Sequence, residues 1–327
     1  MVTRDSECLS CGCSEAAAIC EKRLPSSRLA LQRCAACGLV YQRGWGEQFD
    51  AGLYEYYRVR ADWPLERVYR PLNSRRIASL LDHLGALVPG RRLLDVGCGA
   101  GQLVSVATSL GWDARGIDLA PPAVALARKF GARCDVLDFF APELSTARFD
   151  VIVMSEFIEH VPAPARFLRR ASELLVHGGI VYVTTPNFSS LTRYLVGVDD
   201  WQVVHPQHLS YFTPRSLRRL VNEHTDLAVL SLESRNISPE VLALLRKSLR
   251  GSRRAERTEY RQPSSQDRAS TSTTPTIELR MRIERSRMLR AAKAAVNKTL
   301  DIAGVGEGLF AILQKPLHER RTSAPAE

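Results

Sequence analysis

No stretch of this 327-residue chain approaches 18 consecutive apolar residues, which excludes an ordinary membrane-spanning helix. The opening segment, "MVTRDSECLSCG", lacks an apolar h-region, so no signal peptide is visible and a cytoplasmic location is expected. No internal repeat is present. A net basic excess is also missing from most of the chain, despite a net charge of +10. Between Arg246 and Lys293 there are 14 Lys/Arg against 5 Asp/Glu, which accounts for +9 and leaves the remainder nearly neutral. The excess therefore belongs to one segment and not to the main domain. That segment has few aromatic residues to stack bases, which argues against nucleic acid as the partner. What remains is an ordinary globular composition, 45% hydrophobic and 24% charged, on a chain long enough to bury a core.

Cysteine is concentrated at one end. Six of the eight cysteines precede residue 38, and four form "CLSC" (Cys8, Cys11) and "CAAC" (Cys34, Cys37). Each pair is followed by a glycine, Gly12 or Gly38, which lets the backbone turn tightly so that amides face the thiolates. Two such knuckles supply four sulfurs, the composition of a structural zinc ribbon with Zn²⁺ on Cys8, Cys11, Cys34 and Cys37. Cys13 and Cys20 read as bystanders, although Cys13 competes with Cys11. Cys98 and Cys134 read as small buried apolar residues.

From Arg91 short apolar runs alternate with helical stretches. "RLLDVG", "DARGID", "ARCDVLD", "FDVIVM" and "GGIVYVTT" read as strands; "GQLVSVATSLG", "PPAVALARKFG" and "PAPARFLRRASELLVHG" read as helices. This alternation predicts parallel βαβ units in an α/β, doubly wound sheet. Thr213 reads as an N-cap with Pro214 at the first helical position. "LAVLSLES" is a sixth strand, and "GLFAILQKP" a seventh that returns to the same sheet. The expected organisation is a ribbon over 1–42, an aromatic linker and helix over 43–90, and a core over 91–235. A basic, Ser/Thr-rich insert over 236–276, a helix and last strand over 277–317, and a tail over 318–327 follow.

"LLDVGCGAGQL" is a strand running into Gly97, Gly99 and Gly101 and then a helix. A dinucleotide fingerprint needs glycine at position 102, where this chain has Gln. Asp95 stands where a pyrophosphate would lie; a carboxylate there disfavours phosphate and suits a cationic amino-acid group. Asp118 ends the next strand, where a carboxylate can accept both ribose hydroxyls of an adenosine. Leu119 beside it joins the cofactor set. Asp138 is placed to meet an adenine amino group, with Phe139 packed on the ring. Together these features fit S-adenosylmethionine.

The chain resembles the class I S-adenosylmethionine-dependent methyltransferases, and within them the ubiquinone-biosynthesis O-methyltransferase type. "LLDVGCGAGQL", "GIDLAPPAVALA", "FDVIVMSEFIEHVPAPARFL", "LLVHGGIVYVTTPN" and "HLSYFTPRSLRRL" carry the resemblance, over about residues 90–225. It implies a seven-stranded sheet of order 3-2-1-4-5-7-6 with strand 7 antiparallel. It also implies Asp95, Gly97, Gly99 and Gly101 as the methionine-side loop, Asp118 as ribose ligand and Asp138 as adenine contact. The cysteine module and the basic insert depart from the pattern, so the substrate does not carry over.

"MSEFIEHVP" leaves the fourth strand at the ligand edge of such a sheet, which puts Ser155 and Glu156 beside the cofactor and Glu159 and His160 one turn further. His160 with Glu159 suits a base that removes a hydroxyl proton, with Glu156 in the same catalytic set. The spacing also resembles the ExxEH metal motif of the small-RNA 3′-end methyltransferases. Mg²⁺ or another divalent ion on Glu156, Glu159 and His160 is the second reading, with His205 or His208 completing it. In a third reading the pair only orders the turn. Trp201, His205, His208 and Tyr211 lie in a loop expected to wall the substrate.

The expected function is methyl transfer to a small molecule or glycan, most readily at a hydroxyl. Two alternatives stand beside it: a nucleic-acid or protein methyltransferase docking through ribbon and insert, and a non-catalytic scaffold that keeps the cofactor site.

Overall fold

The computed structural model describes residues 7–24, 27–44, 71–196, 207–236 and 286–317. Trp201, His205, the tyrosines around Tyr56, nearly all of the basic insert and the tail lie outside these residues.

Eleven strands form two sheets among the described residues. The larger contains β4 (Arg92–Val96), β5 (Asp113–Asp118), β6 (Cys134–Val136), β7 (Phe149–Ser155), β8 (Leu175–Pro186), β10 (Ala228–Arg235) and β11 (Gly308–Gln314). Their order across the sheet is β10-β11-β8-β7-β4-β5-β6, with β4 to β8 parallel and β11 antiparallel to both neighbours. In the chain order of the core strands this is 3-2-1-4-5-7-6, as expected. Core strands such as β7 are mostly apolar and buried, with Asp150 a buried polar exception, because helices cover both faces of a parallel sheet.

The helices are α1 (Pro71–Gly85), α2 (Gln102–Ser109), α3 (Pro121–Lys129), α4 (Pro164–Leu174), α5 (Leu191–Val196), α6 (Pro214–His224) and α7 (Arg287–Ala303). Thr213 caps α6 as the sequence suggests: its hydroxyl accepts the Ser216 amide at 3.1 Å, and the Thr213 amide donates back to Ser216 Oγ at 2.9 Å. No helix among the described residues is long and apolar enough to cross a membrane.

Two boundaries differ from expectation. Helix α4 stops at Leu174, and "LVHG" belongs to β8. Leu175 pairs with Phe149, and Gly178 donates its amide to Lys315 O at 3.0 Å, so neighbouring strands capture these residues. The third core strand ends at Val136, two residues before Asp138.

The smaller sheet is β1 (Ala16–Leu24), β2 (Ser27–Cys34), β3 (Val40–Gln42) and β9 (Ser210–Tyr211), in that order. The first three belong to the cysteine module. The fourth comes from the loop that the sequence left irregular: Val40 pairs with Tyr211 and Tyr41 with Ser210. Cys8, Cys34, Cys37, Leu39 and Tyr41 share one hydrophobic core with Met154, Ile158, Phe212 and Leu217. The module is thus packed into the same core as the main sheet.

Candidate functional site

Strand β4 delivers Asp95 and then the glycine turn. Gly97 has φ +71°, and a Cβ there would lie 2.7 Å from Phe157 Cδ2, so both backbone and space require glycine. Gly101, at φ +72°, precedes α2, and a Cβ on it would sit 2.8 Å from those of Ala127 and Ala132. The glycines let the loop fold back on β5, where the Gly97 and Cys98 amides both reach the carbonyl of Ile117.

Asp118, 8% exposed, is fixed from two sides. The Gly99 amide donates to Oδ2 at 2.9 Å and the Ala120 amide to Oδ1 at 2.8 Å. Burial raises its pKa and these donors oppose the rise. Each oxygen keeps a lone pair for a further donor. Asp95 is 5% exposed, and its pKa is pushed up to about 7 by burial, with the Asp118 charge adding to it. A buried carboxylate in that state is suited to a cationic ligand group, which would restore its charge.

Leu119 keeps 52% of its surface exposed and Val136, paired in register with Asp118, 47%. These two strand ends offer an apolar platform beside Asp118. Phe139 does not: it is 4% exposed and stacks on Phe167 with centroids 6.0 Å apart and an interplanar angle of 9°. Its expected place on an adenine ring is corrected to a place in the core, where burying a full ring is worth about 2–3 kcal/mol. Asp138 is exposed and accepts the Phe140 amide at 2.6 Å, which closes the turn after β6.

At the end of β7, Ser155 Oγ lies 2.9 Å from Thr184 Oγ1. Glu156 has φ +50°, a left-handed conformation costly for a residue with a Cβ. Its amide donates to Thr184 O at 2.9 Å, and its carboxylate accepts the Thr184 hydroxyl at 3.0 Å. A single helical turn of the tighter kind then carries Ile158–His160. Glu159 is 1% exposed; Oε2 accepts the Thr185 hydroxyl at 2.9 Å, while Oε1 is buried with no hydrogen-bond partner among the described residues. Burial, with the Glu156 charge behind it, holds the Glu159 pKa well above the usual range.

His160 Nδ1 is 2.8 Å from Gln207 O. A carbonyl can only accept, so Nδ1 carries the hydrogen and Nε2 presents a lone pair. That Nε2 lies 3.8 Å from Glu159 Oε1, too long for a hydrogen bond. Burial lowers the His160 pKa, and the Gln207 carbonyl partly offsets this. His208 is 8% exposed, with its ring 4.7 Å from that of His160 and 6.1 Å from that of Tyr211.

Two groups among the described residues bring ligand atoms within 4.8 Å of one another: Cys8, Cys11, Cys34 and Cys37; and Glu159, His160 and His208. In the first, Cys8–Cys37 and Cys11–Cys34 sulfurs are each 3.5 Å apart and unbonded, and the Cys37 amide points at Cys34 Sγ at 3.4 Å. Four sulfurs around zinc at about 2.3 Å stand roughly 3.8 Å apart, so this cluster fits that ion closely. Cys13 stays outside, donating to Glu15 O. The second group differs from the expected ligand set, because Glu156 is engaged by Thr184 and His208 takes the third position.

The sequence reading gave no role to Thr184 and Thr185, which hold the two glutamates, nor to Gln207, which sets the His160 tautomer. Paired threonines at a strand end were the available signal for the first two; nothing local marks the third.

Residues 69–232 match a family described as a methyltransferase domain. The ubiquinone biosynthesis O-methyltransferase of Burkholderia pseudomallei is 32% identical over 178 residues, 49% of this chain and 75% of that one. That of Nitrosococcus oceani is 36% identical over 135 residues, covering 38% and 56%. Among solved structures, a S-adenosylmethionine-dependent methyltransferase from Archaeoglobus fulgidus superposes with a TM-score of 0.47 and 16% identity, over 77% of this chain and 98% of that one.

Proposed function

The chain belongs to the S-adenosylmethionine-dependent methyltransferase family, and we propose that it methylates a hydroxyl of a small molecule or glycan. The observation that carries the hydroxyl reading is His160, whose Nε2 lone pair is free while Gln207 holds its other nitrogen. Asp95 and the Gly97–Gly101 loop would hold the methionine end, Asp118 the ribose, and Leu119 with Val136 the adenine face. When bound, the cofactor supplies a methyl group on a sulfonium, which keeps the electron pair of the broken bond.

The protein's part is positioning and proton removal. As the new C–O bond forms, the acceptor hydroxyl must lose its proton. His160 Nε2 takes it, and Nδ1–H on Gln207 O keeps the ring aimed. The resulting imidazolium sits 3.8 Å from Glu159 Oε1, whose ionised form would stabilise it.

A second reading is favoured by the unpartnered Glu159 Oε1 and by His208. Glu159, His160 and His208 would then hold a divalent ion, which supplies a Lewis acid that acidifies the acceptor hydroxyl. At the other end, Cys8, Cys11, Cys34 and Cys37 would hold structural zinc, with no open position for catalysis. A reducing, cytoplasmic setting belongs to this reading, since it keeps such thiols free to bind metal.

The test uses methyl-labelled cofactor against panels of phenols and glycans. The expected product is an O-methyl ether, with transfer reduced in His160→Gln. Label entering only RNA or protein would replace the proposal with the macromolecular alternative. Tight cofactor binding with no turnover on any panel would favour a scaffold.

A further inference from the structure

The cysteine module is joined by backbone hydrogen bonds to the segment that carries His208. Strand β3 begins three residues after Cys37 and pairs with β9. At its end the Gln42 amide donates to Leu209 O at 2.9 Å, and the Leu209 amide donates to Glu159 O at 2.8 Å. Residues 207–211 are therefore held from one side by the module and from the other by the turn bearing Glu159 and His160. Gln207 contributes the carbonyl that aims His160.

The junction is buried. Val40, Tyr41, Gln42, Leu209, Ser210 and Tyr211 are each at most 4% exposed. Water cannot replace hydrogen bonds lost there, so each broken one leaves buried groups unpaired. The fold of the knuckles sets where β3 begins: the Cys34 amide bonds to Leu39 O, and Gly38 to Cys34 O. Among the described residues no strand of the small sheet pairs with β4 or β5, which carry Asp95 and Asp118.

We infer that the cysteine module is the positioning frame of the acceptor side of the site: metal on its four cysteines sets, through β3 and β9, the placement of His208, Gln207 and the Glu159 turn, and leaves the cofactor loop untouched. The naming of that side rests on the methyltransferase reading above, but the coupling itself does not.

Hydrogen exchange on the full-length chain tests it, comparing the zinc-loaded protein with the same protein after chelation. Amides in 207–212 and 156–161 should exchange at least tenfold faster without metal. Amides in 92–101 and 113–118 should be unchanged, with S-adenosylmethionine affinity within twofold. Gln42→Pro, which deletes the amide bonded to Leu209 while keeping all four cysteines, should reproduce the local loss at full zinc stoichiometry. Retained protection over 207–212 in either case overturns the inference. So does an equal loss over 92–101, which would make the module a general stabiliser, or failure of the cysteines to take up metal. None of these readouts needs the acceptor, so absence of methyl transfer would sink the proposed function and leave this inference standing.

Discussion

The carbonyl oxygen of Gln207 lies 2.8 Å from Nδ1 of His160, which makes Nε2 the only ring nitrogen free to take a proton or a metal. His160→Gln removes that lone pair. The expected result is a 10²–10⁴-fold loss of turnover, the usual range for a general base, with cofactor affinity within twofold. Turnover within threefold of wild type would leave His160 a structural residue.

Burial lowers the His160 pKa, so the neutral, proton-accepting form persists further into acid than for a free histidine. The acid limb of the rate profile should therefore fall below the ordinary value of roughly 6.5. A pH–kcat profile measures it. An acid limb above that value would mean that another group controls the rate.

Asp95 is held at about pH 7 by burial, and a bound cationic group would pull that value down. Cofactor binding should then release a proton near pH 6–7 and weaken as pH falls through 7, by up to tenfold per unit. In the empty protein the sign is opposite: a raised carboxylate pKa adds stability as pH falls from about 7 toward the unfolded value. Titration calorimetry in buffers of different ionisation enthalpy reads the proton release, and Asp95→Asn should abolish it.

Gly97→Ala combines a positive φ with a Cβ 2.7 Å from Phe157. A loss of about 1–3 kcal/mol in stability is expected, together with weaker cofactor binding. Phe157→Leu in the same chain should return part of the loss. Denaturant melts of the single and double variants provide the comparison.

If Glu159, His160 and His208 hold a divalent ion, Mn²⁺ or Mg²⁺ should raise turnover, and His208→Ala should remove that response. Turnover that is full without added divalent ion and unchanged by Mn²⁺ or Mg²⁺, measured on protein that keeps its ribbon zinc, would leave His160 acting alone as base.

Most of the sheet and its strand ends could be read in the sequence because their signals are local. "RLLDVG" ends at a glycine turn, and "FDVIVMSE" runs apolar from Val151 to Met154 before its polar end. Gly116 carried an unread signal, a glycine inside a strand: its missing Cβ makes room for Cys98 and Cys134, atoms of both lying within 2.8 Å of where it would be. Strand β9 is two residues long and pairs with residues about 170 positions earlier, so no periodicity could show it. The same pairing holds His208 buried beside His160, which spacing alone could not show; His205 lies outside the described residues. Phe139 failed for a different reason. An aromatic beside a candidate ligand residue serves a core equally well, and two other phenylalanines, Phe140 and Phe167, were near enough to claim it.

The most direct test of the account is a calorimetric titration with S-adenosylmethionine, of the wild-type chain and of Asp118→Ala shown by melting to be folded. The account predicts one site per wild-type chain and at least a hundredfold weaker binding in the variant. No binding by the wild-type chain, or equal affinity in both, would contradict it.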